Sequence, residues 1–78
     1  APTSGAVVSK TPIQNRIREL RFMRGQITQQ ALADGCGVTR QTIIALEAGH
    51  YAPSLELAFR IARFLDVSLE EVFQWQTT

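Results

Sequence analysis

Most of what catalysis requires is missing from these 78 residues. A single cysteine, Cys36, excludes an internal disulfide, and with a single histidine, His50, there is no donor cluster for a metal. The carboxylates are dispersed along the chain and form no Ser/His/Asp or metal-ligating constellation, so neither an enzyme nor a cofactor-dependent activity is expected. No apolar run approaches the ~20 residues that a bilayer-spanning helix needs, so the expectation is a soluble, cytoplasmic chain without a membrane partner. Neither sign of charge dominates, the formal net charge being only +1.

What is present suits one small domain. The hydrophobic content of 45% is ordinary for a globular chain and argues against wholesale disorder. Seventy-eight residues supply a single modest core. Charge is divided unevenly: residues 1–40 carry +4, with Arg16, Arg18, Arg21, Arg24 and Arg40 among them, whereas residues 41–78 carry −3. That asymmetry fits a basic docking end and an acidic far end, or a solvated surface with uneven charges.

Residues 1–10 show no periodicity and begin without Met; a flexible arm or a remnant of processing is expected, with a domain over residues 11–78. Thr11, Pro12 and Gln14 read as a capping box with proline at the first helical position, opening a helix whose buried stripe is Ile13, Ile17 and Leu20. Gly25 ends that helix. Thr28 caps a second one, Thr39 a third, Ser54 a fourth, and Ser68 with Glu71 forms a capping box for a fifth. In the fourth, Leu57, Ala58, Ile61, Ala62 and Leu65 share a face, and the wide apolar circumference predicts a central helix covered from several sides. Leu69, Val72 and Phe73 close the core.

The most informative stretch is QQALADGCGVTRQTIIALEA, residues 29–48. Leu32 and Cys36 are an i,i+4 pair and Ile43 and Leu46 an i,i+3 pair, which gives each of two short helices an inward stripe. Gly37 stands where the chain turns sharply and can take positive φ without a Cβ penalty. Ala33 is small where two steeply crossed helices approach. Cys36 fits as a small hydrophobe plugging the turn, with redox sensing as the alternative. This is a helix-turn-helix pattern.

With Gln29, Leu32-Ala33, residues 37–43 and Leu46-Glu47, followed by Gly49, Tyr51, residues 53–55, Ile61-Ala62, Val67-Ser68 and Val72-Phe73, the chain resembles the lambda repressor/Cro (XRE-like) helix-turn-helix regulators over residues 11–74. The resemblance implies an all-α, five-helix DNA-binding domain with the second and third helices as the helix-turn-helix. The connection between the first two helices is one residue longer than is usual in that family, around Gln26. The resemblance also implies an ion pair between Arg21 and Glu47, structural in role, and a phosphate contact from Gln29.

On the third helix, with Ile43 and Leu46 inward, the outward stripe holds Arg40, Gln41, Ile44, Ala45 and Ala48. Arg40 can give two parallel hydrogen bonds to guanine and Gln41 to adenine, while Ile44 can meet a thymine methyl. Arg40 as a phosphate clamp and Ile44 as a side chain covered by the protein remain alternatives. Thr39, Thr42, His50 and Tyr51 are candidates for phosphate contacts, as Gln29 is through its helix N-terminus. Phe22, Phe59, Phe64 and Trp75 are candidate contacts of a dimer, with packing within the chain as the alternative. The expected function is sequence-specific binding of double-stranded DNA in the major groove, as a bacterial or phage transcriptional regulator (a repressor). Because one recognition helix reads only a few base pairs, a homodimer on a palindromic operator is expected. No small-molecule ligand is indicated. The competing expectation is an antitoxin-like protein-binding module for which DNA is secondary.

Overall fold

Local chemistry sets most of the helix boundaries in the computed structural model, which describes residues 11–76. The arm expected over residues 1–10 lies outside the described residues. The helices are α1 (Ile17–Met23), α2 (Gln29–Cys36), α3 (Arg40–Glu47), α4 (Leu55–Leu65) and α5 (Leu69–Val72). Thr28 accepts from the Ala31 N–H at 2.9 Å and Thr39 from the Thr42 N–H at 3.3 Å. Ser54 caps α4 in the same way, and Ser68 with Glu71 forms the complete capping box of α5. Gly37 ends α2 in the left-handed conformation at φ 74°, returning its N–H to the last turn, so that the cap of α3, Thr39, can stand two residues later.

The first element departs from expectation. Residues 13–15 are not helical: Ile13–Asn15 forms β1, antiparallel to β2 (Phe73–Trp75), with Ile13 opposite Trp75, Gln14 opposite Gln74 and Asn15 opposite Phe73. The ladder is extended by Gln76 N–H to the Pro12 carbonyl at 2.7 Å and Arg16 N–H to the Val72 carbonyl at 2.8 Å. Thr11 does accept a main-chain N–H, but from Ile13 rather than from a helix turn. The cap position of α1 falls to Arg16, which gives no side-chain cap, while Asn15 Oδ1, one residue earlier, accepts from the Ile17 N–H at 3.2 Å. A local helix signal is overridden because the returning C-terminal segment offers these residues a ladder. Phe73, expected in the last helix, is accordingly a strand residue half-buried against the core.

Between α1 and α2 the longer connection is accommodated by two consecutive residues with positive φ, Gly25 at 115° and Gln26 at 56°. Gln26 has a Cβ and so bears conformational strain that Gly25 does not. The core is built from Ile17 and Leu20 of α1, Leu32 of α2, Ile43 and Leu46 of α3, and Ile61 and Leu65 of α4, with Val72 closing it, all essentially inaccessible to solvent. Each such side chain contributes ~1.5–3 kcal/mol relative to exposure.

Helix α4 is covered on one face, not from several sides: Leu55 and Phe59 stay exposed. Its other ties are specific. The Phe64 ring lies on Gly35 of α2 so closely that a Cβ there would overlap it. Arg60 donates Nη1 to the Cys36 carbonyl at 3.1 Å, satisfying an end-of-helix acceptor of α2, and Nη2 to Glu56. These contacts hold α2, the first helix of the helix-turn-helix, against α4. Among the described residues no helix is long and apolar enough to cross a membrane.

Candidate nucleic-acid interface

The inward side chains Ile43 and Leu46 are wholly buried, which fixes the rotation of α3 about its axis. Arg40 and Gln41 are therefore exposed on the opposite side, with Ile44 about one-third accessible and Ala45 half-buried beside it. Thr39 is occupied as the cap, its hydroxyl 3.2 Å from that of Thr42. The first turn of α3 begins beside these two hydroxyls. Such an end attracts anions.

Behind Arg40 a chain of hydrogen bonds runs into the protein. Arg21, only 6% exposed, meets Glu47 through Nε at 2.7 Å and Nη2 at 3.2 Å, and its Nη1 donates to the Ile27 carbonyl at 2.8 Å. This is a bidentate, nearly dry pair joining α1 to the end of α3. Gln29 then donates Nε2 to Glu47 Oε1 at 3.1 Å, and Arg40 donates Nε to Gln29 Oε1 at 3.4 Å. The Arg21 guanidinium also stands 5.5 Å from the centroid of the Phe22 ring.

An open groove of about 630 Å³ passes over this network, lined by Arg18, Thr28, Gln29, Gln30 and Arg40 as well as the pair itself. Arg18 was not among the candidates from sequence. It stands one turn before Arg21 on α1, and its i,i+3 spacing to Arg21 is the signal that could have found it. A second unanticipated residue is Asn15, whose Nδ2 donates to the Leu46 carbonyl at 2.7 Å. Together with the Thr11 N–H to the Gly49 carbonyl at 3.4 Å, it ties β1 to the end of α3.

Beyond α3, the His50 N–H closes on the Ala45 carbonyl, and both His50 and Tyr51 are exposed in the following loop. The four candidate dimer contacts are not brought together by one element. Phe22 lies on α1, Phe59 on α4 and Trp75 on β2, all with about half or more of their surface open, whereas Phe64 is partly committed to Gly35. Cys36 is 1% exposed, and burial pushes its thiol above the ordinary value against a smaller opposing pull from Arg60. A thiol held neutral there is a packing group, not a nucleophile.

The fold and the α2–turn–α3 geometry define the class, a helix-turn-helix domain. A family profile described as Helix-turn-helix matches residues 17–72. The chain is 45% identical over 64 residues to an uncharacterised HTH-type transcriptional regulator of Methanocaldococcus jannaschii, a match that covers 82% of this chain and 96% of the relative. It is 36% identical over 58 residues to the cryptic phage CTXphi transcriptional repressor RstR of Vibrio cholerae, covering 74% of this chain and 51% of that one. A crystal structure of a Bacteroides fragilis protein superposes with a TM-score of 0.72 at 26% identity, covering 80% of this chain and 98% of the other. The chain belongs to the helix-turn-helix family.

Proposed function

We propose that the protein is a sequence-specific double-stranded DNA-binding repressor that acts in the cytoplasm as a homodimer on a palindromic operator. Family membership carries the coarser statement: this is a DNA-binding transcriptional regulator of the helix-turn-helix type, and the family is not enzymatic. The observation that carries the finer reading is the outward edge of α3, where Arg40, Gln41 and Ile44 stand exposed on a helix whose back is locked by Ile43 and Leu46. In the major groove Arg40 reads guanine, Gln41 reads adenine, and Ile44 with Ala45 contacts a thymine methyl. The N-termini of α2 and α3, with Gln29, Thr39 and Thr42, and the loop residues His50 and Tyr51, hold phosphates on either side. Two copies are required because one recognition helix reads too few base pairs for an operator, and their half-sites lie about one helical turn apart. Repression in RstR, a relative of moderate identity, supports the regulatory sign.

Substitution in the first turn of α3 tests the assignment. Gln41→Ala relaxes preference at one or two base pairs by ~1–3 kcal/mol. Tyr51→Phe weakens all duplexes alike. If Gln41→Ala also lowers affinity evenly for every sequence, Gln41 is not a base reader. A second reading, an antitoxin-like protein-binding module, is favoured by the exposure of Phe22, Phe59 and Trp75. A stoichiometric protein partner that co-purifies with the chain and is lost on Phe59→Ser would establish it.

A further inference from the structure

The buried ion pair ends at the surface, at a residue proposed above to read a base. We propose that Glu47 is a positioning residue for sequence preference, acting through Gln29 on Arg40; this rests on the DNA-binding reading and deepens it. The polarity of an amide sets the direction of this chain of contacts. A carboxylate has only acceptors, whereas the Gln side chain has an NH2 at one corner and a carbonyl at the other. Gln29 must therefore turn its NH2 toward Glu47 Oε1, 3.1 Å away, and its carbonyl is left facing the other way. That carbonyl is the acceptor 3.4 Å from Arg40 Nε.

The consequence for Arg40 is directional. With Nε occupied, Nη1 and Nη2 have no protein partner among the described residues, and they form the end-on fork that matches guanine O6 and N7. Arg40 is otherwise an exposed, long side chain with many rotamers, so even a long hydrogen bond narrows the set it presents. Glu47 cannot itself turn, because Arg21 grips both its oxygens at 2.7 and 3.2 Å in a nearly dry site. An amide at position 47 would break this logic. It offers either an NH2 or a carbonyl to Gln29, and the orientation of Gln29 is then no longer dictated. Glu47 touches no DNA in this scheme, and a carboxylate near phosphate would repel it. Its contribution is to choose which way Gln29 faces.

The test measures affinity of the purified chain for its selected half-site and for every single-base substitution of it. Gln29→Met keeps the length of the side chain and leaves the Arg21–Glu47 pair in place, while E47Q keeps the shape and removes the acceptor-only constraint. Each is also made in an Arg40→Ala background, and circular dichroism confirms the folded fraction. The expected result is a roughly tenfold loss of discrimination at the one base pair facing Arg40, with other positions unchanged and no further loss in the Arg40→Ala background. Any contact of Gln29 with phosphate lowers affinity for all duplexes equally and does not change the preference profile. Discrimination retained in full by Gln29→Met, or by E47Q shown to be folded, overturns the proposal, whether or not affinity for all duplexes falls alongside. A wild-type chain that discriminates at no position fails the DNA-binding reading itself, a different result, and the positioning role falls with it.

Discussion

Removing one member of the Arg21–Glu47 pair should be far more harmful than removing both. In Glu47→Leu, the Arg21 guanidinium, 6% exposed, keeps only the Ile27 carbonyl as a partner. In Arg21→Met, the Glu47 carboxylate keeps only the Gln29 amide. Stranding a buried charge in this way costs about 3–5 kcal/mol. In the double variant no charge is stranded, and apolar groups of similar volume fill the site. What remains unsatisfied is the Ile27 carbonyl and one amide hydrogen of Gln29, about 1 kcal/mol each. The double variant therefore loses about 2 kcal/mol, well under the sum of the singles. A chain of this length has about 4–12 kcal/mol of stability in total, so each single variant approaches the edge of folding while the double does not. Urea unfolding followed by circular dichroism reads all four corners of the cycle, and in thermal melts each single falls by more than about 12 °C. Raising the salt should change the coupling little, because a dry pair is poorly screened. Additive losses, with the double as unstable as both singles combined, would refute the buried-pair account.

Three further predictions concern the scaffold. Gly35→Ala should lower stability by about 1 kcal/mol although Ala is the better helix former, because its Cβ displaces the Phe64 ring; in a Phe64→Ala background the same change should stabilise, as thermal melts will report. Gln26→Gly should raise stability by about 0.5–1 kcal/mol in urea unfolding, since Gln26 is exposed, holds φ 56° and uses only its backbone. For Cys36 the folded-state thiol titrates above its unfolded value, so its contribution is complete below the unfolded value and fades as pH rises through the folded one. The stability difference between the wild type and Cys36→Ala should accordingly narrow above about pH 8.5, and a constant gap up to pH 11 would contradict it.

Features fixed by neighbours in sequence were legible before the structure was known. Thr28, Thr39, Ser54 and Ser68 cap the helices they precede, and Gly37 takes the left-handed turn, because each decision involves atoms within a few residues. The Arg21–Glu47 pairing spans 26 residues and came from family resemblance, not from any local rule. What was misread is non-local. Thr11-Pro12 carries a sound helix-start signal, and only the return of Phe73–Trp75 about sixty residues later converts Ile13–Asn15 into a strand. Asn15 was invisible for the same reason: its amide serves the start of α1 and the end of α3 at once. Gly35 carried no signal of its own, and only the approach of Phe64 from α4 explains its lack of a side chain. At the interface, the outward stripe of α3 followed from periodicity. Arg18 entered only when the folded chain placed α1 beside the same groove.

The proposed function turns on whether the exposed edge of α3 reads sequence. Selection of bound duplexes from a random pool, near physiological salt, tests it most directly. Enrichment of a palindrome with half-sites about 10 base pairs apart is expected, with guanine and adenine facing Arg40 and Gln41. A pool that stays random, with binding that disappears as salt rises, would leave only phosphate attraction and contradict the claim.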